Sequence, residues 1–161
     1  MGVLDPLKEI FSVAPEWVGY RFEKYVMELF DERYYVLVER THKNSDNKER
    51  YVESSLNPDF IWRYKPSGEE FAVECKYRSG LNAGKLQWSN PQQLKRYQDF
   101  SKNKNIPVFI VIGFDGIETD PKDMFLIPLE EAKYPALYPS VYNKYSRNPK
   151  KNFFWKNGQL Y

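Results

Sequence analysis

Pro107 to Phe114 reads PVFIVIGF, a nearly continuous apolar run. A half-exposed strand alternates apolar with polar residues. This run does not, so it predicts a strand buried on both faces. Such a strand belongs in a sheet with helices packed against it. Two helices are predicted nearby. Pro15 to about Asp31 carries Val18, Phe22, Val26 and Leu29 at helical spacing, and Pro15 suits a first-turn position. Pro91 to Lys102 follows Asn90 as N-cap, with Pro91 at the first helical position.

The remaining segments fill in a mixed sheet. Tyr34 to Glu39 is a β-branched and aromatic run that predicts a first strand. Residues 41–55 are polar and charged and read as a long loop or an excursion at the sheet edge. Strands are predicted over 58–64 and 70–77, joined by the turn signal Lys65-Pro66-Ser67-Gly68. The short connection makes them an antiparallel hairpin. Residues 79–90 form a Gly/Asn-rich loop, Asp115-Gly116 turns the chain, and Asp123 to Leu129 is a further strand. The last nine residues read as a closing hairpin around Asn157-Gly158. The expected fold class is α/β, one unit over 1–161, with a core over about 15–130 and a Tyr/Lys-rich extension over 134–161.

Composition narrows the functional classes. A chain of 161 residues suggests one domain. No stretch approaches ~20 consecutive apolar residues, so no membrane span is expected. Asp5, Pro6, Lys8 and Glu9 interrupt any secretory signal, and Pro6 spoils a myristoylation site after Gly2. The single cysteine, Cys75, excludes an intrachain disulfide and points to a reducing, cytoplasmic setting. One Cys and one His also exclude an ordinary all-protein zinc site. His42 is read as a solvated loop residue, which argues against histidine-based phosphodiesterases. The net charge of +2 permits a polyanionic partner without demanding one.

Chemistry concentrates in the predicted hairpin. Glu74 and Lys76 are two residues apart on one strand, so they share a face, while Val73 and Cys75 point the other way. Asp59 starts the partner strand, where cross-strand neighbours lie within roughly 5 Å. Two carboxylates side by side are tolerable around a divalent cation. Mg²⁺ takes one or two protein carboxylates and completes its octahedron with water and phosphate oxygens. The alternative is an exposed face of an antiparallel sheet, where these three residues are merely solvated.

Pro58-Asp59 and Glu74-Cys75-Lys76, in that order, resemble the signature of the PD-(D/E)xK nuclease superfamily, with its restriction-endonuclease-like mixed β-sheet flanked by helices. Glu23, in Gly19-Tyr20-Arg21-Phe22-Glu23-Lys24-Tyr25-Val26, matches the Glu that the family tends to carry on the preceding helix. Gln93 and Tyr97 match a Gln-x-x-x-Tyr pair found in some branches. The likeness covers about residues 17–114. It implies a Mg²⁺- or Mn²⁺-dependent nuclease acting on DNA. By that resemblance Asp59, Glu74 and the Cys75 carbonyl hold the metal, Glu23 supports a second metal or an outer-shell water, and Lys76 activates the nucleophile.

Each supporting residue has a second reading. Glu23 can be an exposed helix carboxylate, although Gly19, Val26 and Phe30 place it beside the apolar stripe, and small Gly19 leaves room for close approach to the sheet. Gln93 falls at N3 and can close a capping box with Asn90. Tyr97 can be core. The Cys75 thiol is expected to pack inside.

Arg78, Lys85, Lys95 and Arg96 flank the site as candidate phosphate contacts, with Arg40, Lys43, Lys48 and Arg50 in the long loop. Tyr138, Tyr142, Tyr145, Phe153, Phe154 and Trp155 alternate with bases near the C-terminus. They can stack nucleobases or wrap the domain. Two rivals to the nuclease remain: a non-catalytic nucleic-acid or protein interaction module of the same fold, and a subunit active only in a larger repair or restriction assembly. A homodimer also fits the resemblance.

Overall fold

The computed structural model describes residues 15–41 and 57–161. His42, Lys43, Lys48 and Arg50 lie outside the described residues. Helix α1 spans Pro15–Met27, ending short of the expected Asp31. The chain leaves the helix through i→i+3 bonds, from Leu29 N to Val26 O (3.0 Å) and from Phe30 N to Met27 O (3.2 Å). Asp31 then accepts from Arg33 N and from its guanidinium, a local turn that competes with helix continuation. Leu29 and Phe30 stay buried all the same.

Strands β1 (Tyr35–Arg40), β2 (Phe60–Tyr64) and β3 (Glu70–Arg78) follow. β2 and β3 form the expected antiparallel hairpin, with Phe60 opposite Val73 and Arg63 opposite Glu70. Gly68 takes φ 73° in its turn. The loop after β3 contains a short strand the sequence did not announce, β4 (Leu86–Gln87). Helix α2 spans Pro91–Lys104. It carries the chain to β5 (Val108–Ile117), which lies parallel to β3 from Ala72 opposite Val108 to Arg78 opposite Phe114.

β6 (Asp120–Pro128) returns antiparallel to β5. The reversal falls at Glu118-Thr119, because Ile117 still pairs with Asp120. Asp115 and Gly116, read from sequence as the turn, instead take φ 61° and 67° inside the ladder. Glycine is required at 116, where a Cβ would meet Asp120 O at 2.6 Å.

A 3₁₀ turn (Leu129–Glu131), β7 (Ala136–Leu137), the short helix α3 (Pro139–Tyr142), a second 3₁₀ turn (Asn143–Tyr145) and β8 (Ser146–Arg147) come next. β9 (Trp155–Lys156) and β10 (Gln159–Leu160) form the expected closing hairpin, with Asn157 and Gly158 both at positive φ. The main sheet has the order β1-β2-β3-β5-β6-β8.

Each face of this sheet carries a separate core. On one face, Phe22, Val26, Leu29 and Phe30 pack against Phe71, Val73, Cys75, Phe109 and Val111, together with Phe153, Trp155 and Leu160 from the closing hairpin. On the other face, Leu94, Tyr97 and Phe100 of α2 pack with Trp88 and Leu137 against Ala72, Ile110 and Ile112. Val108–Gly113 is accordingly buried throughout. β3 alternates between the layers: Phe71, Val73 and Cys75 face α1, so Glu74 and Lys76 face α2.

Candidate active site

The pairing of β2 with β3 stops at Phe60 and Val73. One step beyond, Asp59 faces Glu74. Both carboxylates are 1% exposed, which excludes a solvated sheet face. Asp59 N donates to Glu74 Oε2 at 3.2 Å, and Cys75 N donates to Asp59 Oδ2 at 2.8 Å. Each carboxylate is therefore held by a backbone amide of the opposite strand, a strong, charge-assisted arrangement. Lys76 Nζ lies 3.3 Å from Glu74 Oε1, and its side chain is 12% exposed.

A strand residue sends its N–H and C=O to the same side. The Cys75 N–H points to Asp59, so the Cys75 carbonyl projects to that same edge. The thiol is buried among Phe71, Val73 and Val111, as the sequence predicts.

Thr41 fixes the start of β2. Its N donates to Asp59 O (2.9 Å) and its Oγ1 to Pro58 O (2.8 Å). Sequence reasoning missed it, because a single Thr at the edge of a polar loop carries no periodic signal. Trp88 was also missed. It is fully buried, stacks on Tyr97 at 6.1 Å, and donates its indole N–H to Tyr134 O at 2.8 Å. A lone large aromatic in a Gly/Asn-rich loop was the available clue.

Tyr97 is a buried member of the core and also reaches the site. Its hydroxyl is hydrogen-bonded to Glu74. Burial, and then the charges of Glu74 and Asp59, push its pKa far above the ordinary 10.0. It stays a protonated donor to the Glu74 carboxylate. Asn90 Oδ1 accepts from Gln93 N at 2.8 Å, the N-cap half of a capping box. The Gln93 side chain lines a cavity beside Arg78.

Glu23 is buried at 6%, but α1 covers the opposite face of the sheet from Glu74 and Lys76. Among the described residues no group of three or more His, Cys, Asp or Glu side chains is placed to hold a metal ion. Among the described residues, Glu23 therefore forms no three-carboxylate cluster with Asp59 and Glu74. Gly19 does not provide the expected close approach, since a Cβ there would meet nothing within 4 Å. The sheet provides it at Gly113, where a Cβ would lie 2.5 Å from the Phe22 ring.

The flanking bases differ in kind. Arg78 donates to Gln87 O (2.6 Å), Tyr77 O (2.9 Å) and Trp88 O (3.2 Å), pinning the loop after β3. Burial lowers its pKa, and the Glu74 charge partly opposes this. Lys85 sits over the Tyr138 ring at 4.6 Å. Lys95 is exposed and paired with Asp99 at 3.2 Å. Arg96 is half-buried next to Tyr97. Of the C-terminal aromatics, Phe153, Trp155 and Tyr142 are buried, while Tyr138 and Phe154 are exposed. Their rings serve the core first.

No protein-family model matches the chain, and no curated protein matches it. Among solved structures it is similar to Hjc from Archaeoglobus fulgidus, a Holliday junction resolvase from an archaeal hyperthermophile. The TM-score is 0.51 at 16% identity, over 76% of this chain and 88% of that one. At that identity the likeness is one of architecture, and it agrees with the mixed sheet and its two helical layers. The chain shares the fold of that structure, a restriction-endonuclease-like mixed sheet flanked by helices.

Proposed function

We propose that this chain is a Mg²⁺- or Mn²⁺-dependent nuclease that hydrolyses phosphodiester bonds in DNA. The observation that carries this reading is the pair Asp59 and Glu74, both 1% exposed, with Lys76 3.3 Å from Glu74. Burying two neighbouring carboxylates costs solvation and repulsion that one lysine only partly offsets. A fold that keeps such a pair has a use for it.

The donor set fits a hard cation. Asp59, Glu74 and the Cys75 carbonyl offer only oxygen, the chemistry Mg²⁺ and Mn²⁺ select. When bound, the ion supplies Lewis-acid stabilisation of phosphoryl charge and lowers the pKa of a coordinated water. Around it, the chain's own groups orient and balance charge. Tyr97 donates to Glu74 and fixes that carboxylate. The Cys75 N–H holds Asp59. Lys76 orients the attacking water and places an ammonium where negative charge develops on the phosphate. Glu23 supports an outer-shell water. The single cysteine favours a reducing, cytoplasmic setting.

The test is a cleavage assay on supercoiled, linear, single-stranded and branched DNA with Mg²⁺ or Mn²⁺. The branched arm is prompted by the resolvase with this fold. Wild type cleaves at least one form, and Lys76→Ala and Asp59→Ala lose ~10²-fold or more of that rate. Binding without cleavage of any form establishes the interaction module instead. A Lys76→Ala variant as fast as wild type removes Lys76 from the mechanism.

A further inference from the structure

β4 and β7 form a small ribbon beside the site, with Leu86 opposite Leu137 and Gln87 opposite Ala136. Both leucines are buried, so the residues on either side of them face outward. That outer face carries Lys85 and Gln87 from one strand, and Ala136 flanked by Tyr134 and Tyr138 from the other. Tyr134 is 69% exposed and Tyr138 58%. The Lys85 ammonium lies 4.6 Å from the Tyr138 ring centroid. An exposed ring held beside a cation is a stacking platform suited to a base with its phosphate.

Gln87 belongs to a second feature. It lines a cavity of about 360 Å³ together with Arg78, Asn82, Ser89, Asn90 and Gln93. Arg78 is two residues beyond Lys76 on β3, on the same face as Glu74 and Lys76. No carboxylate lines the cavity. Its walls offer amides, a hydroxyl and one guanidinium, a set of donors that suits an anion. Ser89 is 6% exposed, and its Oγ is buried without a hydrogen-bond partner among the described residues. A buried hydroxyl left without a partner is destabilising, and a phosphate oxygen would relieve it.

We propose that cavity and ribbon together form a subsite for an unpaired nucleotide of the substrate strand, next to the scissile bond. A phosphate enters the cavity against Arg78 and Ser89, and the adjoining base stacks on Tyr138. This deepens, and rests on, the nuclease reading. The nucleotide must be unpaired, because a base inside a duplex is already stacked on both faces and offers no free surface to a tyrosine. The subsite therefore selects DNA with an end, flap or branch over continuous duplex.

Fluorescence anisotropy with labelled DNA in EDTA tests this without cleavage. The probes are a blunt duplex, the same duplex with a single-stranded overhang, and the overhang strand alone, all at one salt concentration. Wild type binds the overhang duplex more tightly than the blunt one. Tyr138→Ala weakens the overhang and single-strand complexes about tenfold, leaves the blunt duplex unchanged, and Tyr138→Phe restores binding to within about twofold. Ser89→Ala weakens the overhang complex about threefold. Tyr138 is a surface residue, so the variant folds, and an unchanged melting temperature verifies it. The subsite is overturned if Tyr138→Ala leaves overhang binding unchanged, or weakens blunt and overhang duplexes equally. If wild type cleaves DNA while Tyr138→Ala is silent, only the subsite falls. If wild type neither binds nor cleaves DNA, the nuclease reading falls with it.

Discussion

Tyr97 shows how one side chain serves core and chemistry together. Its ring is stacked on Trp88, and its hydroxyl is bonded to Glu74. Its pKa is raised in the folded state, first by burial and then by the two carboxylates. The stability it provides is therefore complete below the unfolded value of 10.0 and is lost as pH rises beyond it. Tyr97→Phe should flatten the fall in melting temperature between about pH 9 and about pH 11 relative to wild type. An identical fall in the variant would show that other buried tyrosines set the alkaline limit. Asp59 makes the opposite exchange. Asp59→Asn keeps an oxygen for the Cys75 N–H but removes one of two adjacent charges. In EDTA it should melt about 2–4 °C above wild type. Added Mg²⁺ should stabilise wild type and leave the variant unmoved, as thermal shift measurements would show. A metal response that survives Asp59→Asn would remove this residue from the ligand set.

At the scale of elements, the contact between α1 and the sheet decides where Glu23 sits. Phe22 lies over Gly113 of β5, and its ring also meets Tyr77 of β3 at 6.0 Å. Phe22 is fully buried, so its ring has nowhere to retreat from a new methyl group. Gly113→Ala should cost about 1–3 kcal/mol by overpacking, read as a shift in urea midpoint. It should also lower cleavage, because α1 must back away from the sheet and takes Glu23 with it. Gly19→Ala, with open space at its Cβ, should be neutral or slightly stabilising through helix propensity. A Gly113→Ala variant with wild-type stability would show that the helix can slide without loss. The short ribbon of β4 and β7 was invisible in the sequence, since a two-residue strand leaves no period to read.

For the whole molecule, the closing hairpin is part of the main core. Trp155 stacks on Phe71 at 4.6 Å, and Phe153 on Phe30 at 4.8 Å. Trp155 N donates to Tyr35 Oη at 2.7 Å. Arg147 lies over the Phe153 ring at 3.8 Å and donates to Lys151 O and Asn152 O, tying the hairpin to the sheet edge. Trp155→Ala should cost about 3–5 kcal/mol, a large share of the ~5–15 kcal/mol that holds a domain of this kind. Chemical denaturation measures it. A loss under about 1 kcal/mol would mean the hairpin merely decorates the core.

The amino-acid sequence by itself determined the α/β pattern, the hairpin of β2 and β3, and the three residues Asp59, Glu74 and Lys76. These depend on local periodicity and on residue types placed where burial disfavours them. It also placed the Cys75 thiol inside, because alternation along one strand is a local rule. Tertiary structure alone decided the rest. The parallel pairing of β3 with β5 is set by a helix crossing between segments distant in sequence. It is the layer assignment that puts Tyr97 with Glu74 and Phe22 over Gly113. Gly113, not Gly19, allows the close approach, since that depends on which ring lands opposite. Thr41, Trp88 and Ser89 acquire their positions only when segments far apart in the chain are packed together, and no local pattern encodes such a contact.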